Sequence, residues 1–178
     1  LWGKDFDNLI VDELIIPSLK EKFSFKWLDK EKSKTIFNIL KYYAESAKKE
    51  LTDREETIII IDNKLIVDED WKDVYLEIVL NRKIFENIIS KLVNKSIELS
   101  KNAIKDSGLL SKDVNRIILI WWPTQIPFIR ETLEKELWIK CDSSMDPLTV
   151  VAKGACIFWS SQIIPEEYLE NKIKKDKI

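Results

Sequence analysis

The side chains that could do chemistry in this chain are mainly carboxylates and lysines. None of its 178 residues is histidine, which excludes imidazole acid–base catalysis, His-ligated zinc sites and Ser-His-Asp triads. Glu45, Lys48 and Lys49 are three and four residues apart, a spacing that places them on one face of a helix. Judged by residue type alone, they are most simply a solvated helix face with i,i+3 and i,i+4 ion pairs.

Neither metal binding nor thiol chemistry is indicated by the remaining reactive residues. Asp5 and Asp7 could suggest a metal site, but capping of the first helix explains both more simply, so we predict no metal. Cys141 and Cys156 are too few for a disulfide scaffold and favour a reducing, cytoplasmic setting. We predict that both are inert buried thiols.

A strand, a turn and a helix are predicted between Arg116 and Leu137, and this is the most informative stretch of the chain. In α/β proteins the end of a strand that leads into a helix is where ligands, especially phosphates, usually bind. Such a turn normally needs glycine, yet this one carries Trp121 and Trp122. We predict that the two indoles pack in a core or interface and fill the space a nucleotide would need. Thr124 is interpreted as part of the start of the helix, not as a catalytic threonine.

Tryptophan is abundant where glycine would be expected. The chain has seven tryptophans and three glycines, whereas average usage would give roughly twelve glycines. Trp71 lies in a predicted hairpin turn and Trp138 at a predicted helix end, and Trp2 and Trp27 occupy similar positions. A left-handed backbone at such a tryptophan would cost roughly 1 kcal/mol or more. Our hypothesis is that several of these residues are departures from ancestral glycines, and backbone φ at 71 and 138 tests it.

Composition indicates a soluble globular protein of one domain or two small subdomains. Hydrophobic residues make up 45% and charged residues 34%, with a formal net charge of −2. This charge gives no sign of a nucleic-acid or anionic membrane partner. The longest apolar runs are too short to span a bilayer, and residues 1–15 do not resemble a signal peptide.

The elements predicted from periodicity and from turn and cap residues define an α/β fold. A first helix follows a turn around residues 1–8 and is kinked or restarted at Pro17. The later elements are a helix from Asp29 or Ser33 to Leu51, strands Glu56–Ile61 and Val74–Leu80, helices Arg82–Val93 and Asn94–Ser107 ending at Gly108, a strand over 116–120, a helix over 128–137, a strand Ile139–Cys141 and a helix Leu148–Ser161. The last helix is rich in small residues, so we expect close packing against it. Trp159 on that helix is expected to lie in the core or in an exposed apolar patch.

Several segments together resemble the nucleotide-binding domain of DnaK-type heat-shock chaperones, in the actin-like ATPase superfamily. Their order and spacing agree from Leu1 to about Ser161, and they are Leu1–Asn8, Ala44–Leu51, Ile117–Pro127, Asp146–Pro147 and Ala152–Ala155. The resemblance implies the later half of that domain, lobe II, with a mixed sheet flanked by helices. It implies a smaller helical-plus-β subdomain at 4–81, the remainder of lobe II at 82–164 and a charged tail at 165–178.

The resemblance also implies a site for ATP or ADP, bound with Mg²⁺ in the parent protein. The alternative is that this chain binds no nucleotide. Glu45, Lys48 and Lys49 match the helix that faces ribose and adenine, and Thr52 matches a hydroxyl residue that hydrogen-bonds the adenine. The turn that borders the nucleotide departs from the family pattern: Trp121 and Trp122 replace a Gly-Gly pair along the sugar and phosphate, Pro123 replaces a serine, and Gln125 stands where many members have an adenine-stacking arginine.

The function implied by the resemblance is that of a stress-response chaperone whose parent binds and hydrolyses ATP to control protein-substrate binding. Its implied partners are adenine nucleotide, a nucleotide-exchange factor and a co-chaperone. The family's phosphate loops and catalytic lysine would lie upstream of Leu1, so we assign no catalytic residue and expect no ATP hydrolysis by this chain alone. The alternative is a non-enzymatic interaction module that exchange factors bind and that has lost nucleotide binding.

Overall fold

The described part of the computed structural model contains six α-helices and four β-strands. It comprises residues 3–25, 34–120, 122–142, 144, 146 and 149–162, with backbone alone for Trp122 and Pro123. The elements in chain order are α1 (Gly3–Ile10), α2 (Ile16–Lys22), α3 (Lys34–Asp53), β1 (Glu56–Val67), β2 (Asp73–Asn81), α4 (Arg82–Asp106), β3 (Ile117–Ile118), α5 (Pro127–Leu137), β4 (Cys141–Asp142) and α6 (Val150–Ser161).

The amino-terminal segment is helical from Gly3 onwards, so the turn predicted over residues 1–8 is wrong where the structure describes it. A π-helical turn, Val11–Ile15, joins α1 to α2. Pro17 lies in the first turn of α2, where its missing N–H costs no hydrogen bond, and this confirms the predicted restart of the helix. Asp5 and Asp7 lie within α1, and Asp7 is buried, so it does not cap the helix as predicted.

The predicted hairpin is present, and its first strand is longer than expected. β1 and β2 pair antiparallel from Glu56 opposite Asn81 to Asp62 opposite Tyr75, and an irregularity follows before Val67 pairs with Asp73. Alternation along β2 and along β1 as far as Asp62 buries one face of the hairpin, which β1 packs against α3, and leaves the other face exposed. β1 extends beyond its predicted end at Ile61 because Asp62 still pairs with Tyr75 and, after the irregularity, Val67 pairs with Asp73.

One continuous helix, α4, replaces the two helices predicted over 82–107. Asn94 is exposed and the sequence there has neither proline nor glycine, so nothing interrupts the helix. Both predicted end signals are confirmed. The Asn81 side chain accepts a 2.9 Å hydrogen bond from the Ile84 N–H, and Gly108 follows the helix with φ +73°.

The carboxyl-terminal half contains a β-α-β unit with very short strands. β3 and β4 are parallel, with Ile117 opposite Cys141, and α5 between them packs on α4 through its buried residues Ile129, Leu133 and Leu137. Among the described residues the four strands form two separate two-stranded sheets, not the predicted mixed sheet. Each pair forms between segments that are close in sequence, and the 25 residues of α4 separate the two pairs along the chain.

Two tryptophans have the left-handed backbone that the sequence predicted. Trp71 has φ +60° and Trp138 has φ +58°, and no other non-glycine residue in the described part has a positive φ. Trp2, Trp27 and Trp121 lie outside the described residues. At the two positions that can be tested, the glycine-like conformation is confirmed.

The buried apolar side chains form one cluster that runs from Phe6 to Cys141, and α6 does not contribute to it. Every residue from Val151 to Ser161 is exposed, and a Cβ at Gly154 would meet nothing within 4 Å, so the close packing predicted for this helix is wrong. Cys156 is therefore exposed, not buried, whereas Cys141 is buried. Burial raises the pKa of the Cys141 thiol, as expected of an inert cysteine. No described helix is both long enough and apolar enough to cross a membrane.

Candidate functional site

Lys48 is the most deeply placed of the predicted site residues on α3. It is 3% exposed, and its Nζ lies 2.5 Å from Oδ1 of Asp7 and donates a 3.1 Å hydrogen bond to the carbonyl of Gly3. Burial raises the pKa of Asp7, and the Lys48 ammonium opposes that effect. The pair holds α3 against α1, because separating the two helices would leave a buried charge without its partner, which costs free energy.

Glu45 and Lys49 stand beside this buried pair on the accessible side of α3. Lys49 Nζ lies 2.9 Å from Glu45 Oε1, and about half of each side chain is exposed. The hydrogen bond from Lys49 lowers the pKa of Glu45, and the same bond raises the pKa of Lys49. The i,i+4 ion pair is the one that the sequence predicted, and both groups remain accessible to a ligand.

Thr52 lies one turn beyond Lys48 and is half-buried. Its hydroxyl lies 3.5 Å from the carbonyl of Lys48, the outer limit for a hydrogen bond, so the hydroxyl is not firmly held within the helix. Glu45, Lys48, Lys49 and Thr52 therefore occupy two successive turns of one helix.

The other predicted site residues lie on a separate element. A 3₁₀ turn, Trp122–Gln125, leads into α5, and Gln125 is exposed. Trp121 and the side chains of Trp122 and Pro123 are outside the described residues. α5 packs on α4 and β4, whereas α3 packs on α1 and β1, and α4 contacts both α1 and α5. The structure thus groups the α3 residues with Asp7, whereas the turn that carries Gln125 contacts α5.

A metal cluster does not form among the residues that the structure describes. Nowhere among them do three or more Cys, Asp or Glu side chains come together in a way that could hold an ion. Asp5 and Asp7 share α1, but Asp7 faces the Lys48 ammonium.

Arg82 is a structural residue near this helix that the sequence analysis missed. Its Nη2 donates to the carbonyls of Leu51 at 3.2 Å and Arg54 at 2.9 Å, and its Nη1 pairs with Glu55. These bonds connect the start of α4 to the end of α3, across about thirty residues of chain. A local pattern carries no signal for such a contact.

Comparison with known families gives one match that covers most of the chain. A family model described as Hsp70 protein matches residues 1–163 of the 178, a span that includes every described element. Members of this family are heat-shock chaperones that generally bind ATP with Mg²⁺ and work with co-chaperones. The match extends from the buried Asp7–Lys48 pair through the turn before α5 to the end of α6, and the chain therefore belongs to the Hsp70 protein family.

Proposed function

We propose that this chain forms lobe II of the nucleotide-binding ATPase domain of an Hsp70 chaperone, and that α3 faces the adenine nucleotide. The observation that carries the proposal is the arrangement on α3. Glu45 and Lys49 form an accessible pair on a helix that the buried Asp7–Lys48 contact holds against α1. On this fixed helix the Glu45 carboxylate offers hydrogen-bond acceptors and the Lys49 ammonium offers donors to a polar ligand.

Each α3 residue has a chemically distinct role in this proposal. The Glu45 carboxylate accepts hydrogen bonds from ribose hydroxyls, the Lys49 ammonium lies along the base and ribose, and the Thr52 hydroxyl bonds the adenine. The Lys48 ammonium pairs with Asp7 and donates to the carbonyl of Gly3, so Lys48 positions α3 against α1 and does not contact the nucleotide. Lys49 is a point charge and cannot stack on the base as an arginine would.

The turn that contains Trp121, Trp122, Pro123 and Gln125 borders the sugar and phosphates in the same proposal. Bound ATP with Mg²⁺ supplies the phosphoryl group whose hydrolysis controls protein-substrate binding in the parent chaperone. This chain supplies binding and orientation, and we assign none of its residues a catalytic role. The proposed boundaries are 4–81 for the smaller subdomain, 82–164 for the remainder and 165–178 for the tail.

Calorimetric titration with Mg-ADP tests the proposal. The chain and its Trp121→Gly/Trp122→Gly variant are titrated in parallel, because two indoles would obstruct the phosphate side. We expect micromolar binding by the double variant and weaker binding by the unmodified chain. Adding Glu45→Ala should lower the affinity of the double variant about tenfold, since a hydrogen bond to a charged group contributes about 1.5–3 kcal/mol.

The matched control adds Lys101→Ala to the double variant, which breaks an exposed 2.8 Å ion pair with Glu136 elsewhere on the surface. This triple variant should bind Mg-ADP with the same affinity as the double variant. Absence of heat from both proteins at millimolar nucleotide would rule out nucleotide binding by this chain.

A second candidate function, a non-enzymatic module bound by an exchange factor, is favoured by the outer face of the hairpin. Ile58, Ile60, Tyr75 and Val79 are about half exposed there, and Ile58 pairs directly with Val79. Contiguous exposed apolar side chains often mark a protein-binding surface. Binding of an Hsp70 exchange factor by the chain should be weakened by Ile60→Lys and unchanged by Val151→Lys on α6. Equal binding by the two variants would remove the hairpin face as the interface.

A further inference from the structure

We infer that the protein made in its own cells carries glycine, not tryptophan, at positions 71 and 138, because these tryptophans mark a codon that those cells read as glycine. The inference does not rest on the proposed function. It rests on backbone conformation, on the environment of the indoles and on the balance of two residue types in the chain.

At position 71 the turn fixes the backbone without help from the side chain. The Trp71 N–H donates to the carbonyl of Asp68 at 3.1 Å, and the Asp68 N–H donates to the carbonyl of Lys72 at 3.1 Å. The Asp68 carboxylate accepts from the N–H groups of Asp70 and Lys72, both at 2.9 Å. This network closes the β1–β2 turn and requires φ +60° at residue 71, a conformation that glycine adopts without steric cost.

At position 138 the end of a helix makes the same demand. Trp138 has φ 58° and ψ 31°, and its N–H donates to the carbonyl of Glu134 at 3.0 Å, which is the left-handed end of α5. Three residues later the chain enters β4, where the Cys141 N–H donates to the Glu134 carboxylate at 2.8 Å. α4 likewise ends in a left-handed residue, Gly108, which lies one residue beyond the C-cap Ser107 and has φ +73°.

Neither indole gains anything that would offset this strain. Trp71 is 86% exposed and Trp138 is 89% exposed. Trp159, the third tryptophan whose side chain is described, is 77% exposed. Tryptophan is normally highly buried because its large apolar surface stabilises cores and interfaces. Here all three described indoles point into solvent.

A single decoding rule explains the composition as well as the conformation. Reading all seven tryptophans as glycine would bring the three glycines to ten, close to the roughly twelve expected for this length. One codon that specifies tryptophan in one genetic code and glycine in another would produce this pattern. Independent substitutions would not converge on one residue type at the described non-glycine positions with positive φ. The same rule would give Gly-Gly at residues 121 and 122.

Mass spectrometry of the protein from its natural cells tests the inference directly. Trypsin releases peptides covering residues 65–72 and 136–140, each with one of the two positions. We expect both peptides to have the mass and fragment ions of the glycine form. Tryptophan at either position would overturn the inference.

Stability measurements test its physical premise. Trp71→Gly and Trp138→Gly are compared with Trp71→Ala and Trp138→Ala, which remove the indole but keep a Cβ. We expect each glycine variant to have a folded-to-unfolded ratio about fivefold above that of its alanine counterpart. Equal ratios would overturn the premise, and with it the inference.

Position 159 provides the matched control, because it lies within α6. A right-handed helical backbone favours alanine over glycine, so Trp159→Ala should be at least as stable as Trp159→Gly. A glycine advantage at 159 as large as that at 71 and 138 would indicate an effect unrelated to positive φ, and would likewise overturn the premise.

Discussion

At the scale of single residues, α3 presents neighbouring lysines with opposite environments. Lys48 is buried against Asp7, whereas Lys49 is exposed and pairs with Glu45. Consecutive residues on a helix point about 100° apart, so a neighbouring helix can cover one and leave the next in solvent. The two lysines therefore have different consequences when changed, although the sequence alone treats them alike.

Replacing Lys48 by methionine should lower the free energy of unfolding by about 3 kcal/mol, because it leaves the Asp7 carboxylate buried without its cation. Denaturant unfolding at pH 7 measures this. Adding Asp7→Asn should restore most of the loss, since no charge then remains buried. An unchanged midpoint for Lys48→Met would show that the pair does not contribute to stability.

The cost of Lys48→Met should also depend on pH. Burial raises the pKa of Asp7, so the Asp7 carboxylate binds a proton more tightly in the folded chain than in the unfolded chain. The contribution of Asp7 to stability is therefore fully present below its pKa in the unfolded chain. It is lost as pH rises through its pKa in the folded chain. Without Lys48 the upward shift is larger, so the variant should approach wild-type stability near pH 4 and fall away towards pH 8. A constant difference across this range would contradict the assignment.

Asp142 has the opposite pH dependence. Hydrogen bonds from Ser144, followed by the Arg116 guanidinium at 2.7 Å, lower the pKa of Asp142 to about 2. A lowered carboxyl pKa contributes stability above the unfolded value of 3.8, and that contribution is lost as pH falls towards 2. Asp142→Asn should therefore flatten the acid limb of the stability curve between pH 4 and 2. An acid limb for Asp142→Asn that is identical to that of the unmodified chain would refute the role of Asp142.

At the scale of elements, the contacts between helices are made by a few side chains at helix ends. Asn81 caps α4, and Arg82 beside it reaches back to the carbonyls that end α3. The last carbonyls of a helix have no partner within that helix, so a guanidinium that bonds two of them satisfies groups that would otherwise need water. The first turn of α4 is thereby fixed to both the hairpin and α3.

Replacing Arg82 by lysine should lower the free energy of unfolding by about 1–2 kcal/mol, because an ammonium cannot bond both carbonyls and Glu55 in the same planar geometry. Thermal unfolding measures the change. Arg54→Lys is the matched control, since Arg54 is exposed and forms an i,i+4 contact of 3.5 Å with Glu50. Equal effects of the two substitutions would mean that Arg82 acts as a surface charge only.

At the scale of the whole molecule, one apolar cluster links the elements from α1 to β4, and α6 stands outside it. α4 is central because it contacts α1 and β2 as well as α5. The proposed boundary near residue 81 falls at the start of this helix. The division into subdomains therefore remains a prediction, since α4 contacts elements on both sides of that boundary.

Hydrogen exchange should separate α6 from the rest of the molecule. The side chains from Val151 to Ser161 are exposed, so little packing opposes opening of that helix, whereas α5 is held by Ile129, Leu133 and Leu137. We expect the amides of α6 to exchange at least 100-fold faster than the central amides of α5, a difference of about 2.7 kcal/mol in opening free energy. Comparable protection in the two helices would show that α6 is packed in solution.

The sequence by itself determined the features that depend on neighbours within a few residues. The start and end of α4, the restart at Pro17, the β1–β2 hairpin and the positive φ at residues 71 and 138 all follow from local cap, turn and backbone chemistry. The Glu45–Lys49 ion pair is likewise a consequence of helical spacing. Four local predictions were wrong: the turn over residues 1–8, the capping role of Asp7, the break at Asn94 and the end of β1 at Ile61.

Only the tertiary structure decided which of these residues meet across the chain. The Asp7–Lys48 pair and the Arg82 bonds join residues that are far apart in sequence, and the exposure of α6 and Cys156 depends on what packs nearby. Strand pairing within the described part of the chain likewise produced two small sheets instead of one. The physical reason is that cap, turn and periodicity rules act within one or two helical turns, whereas burial and ion pairing are set by the surfaces that distant elements bring together.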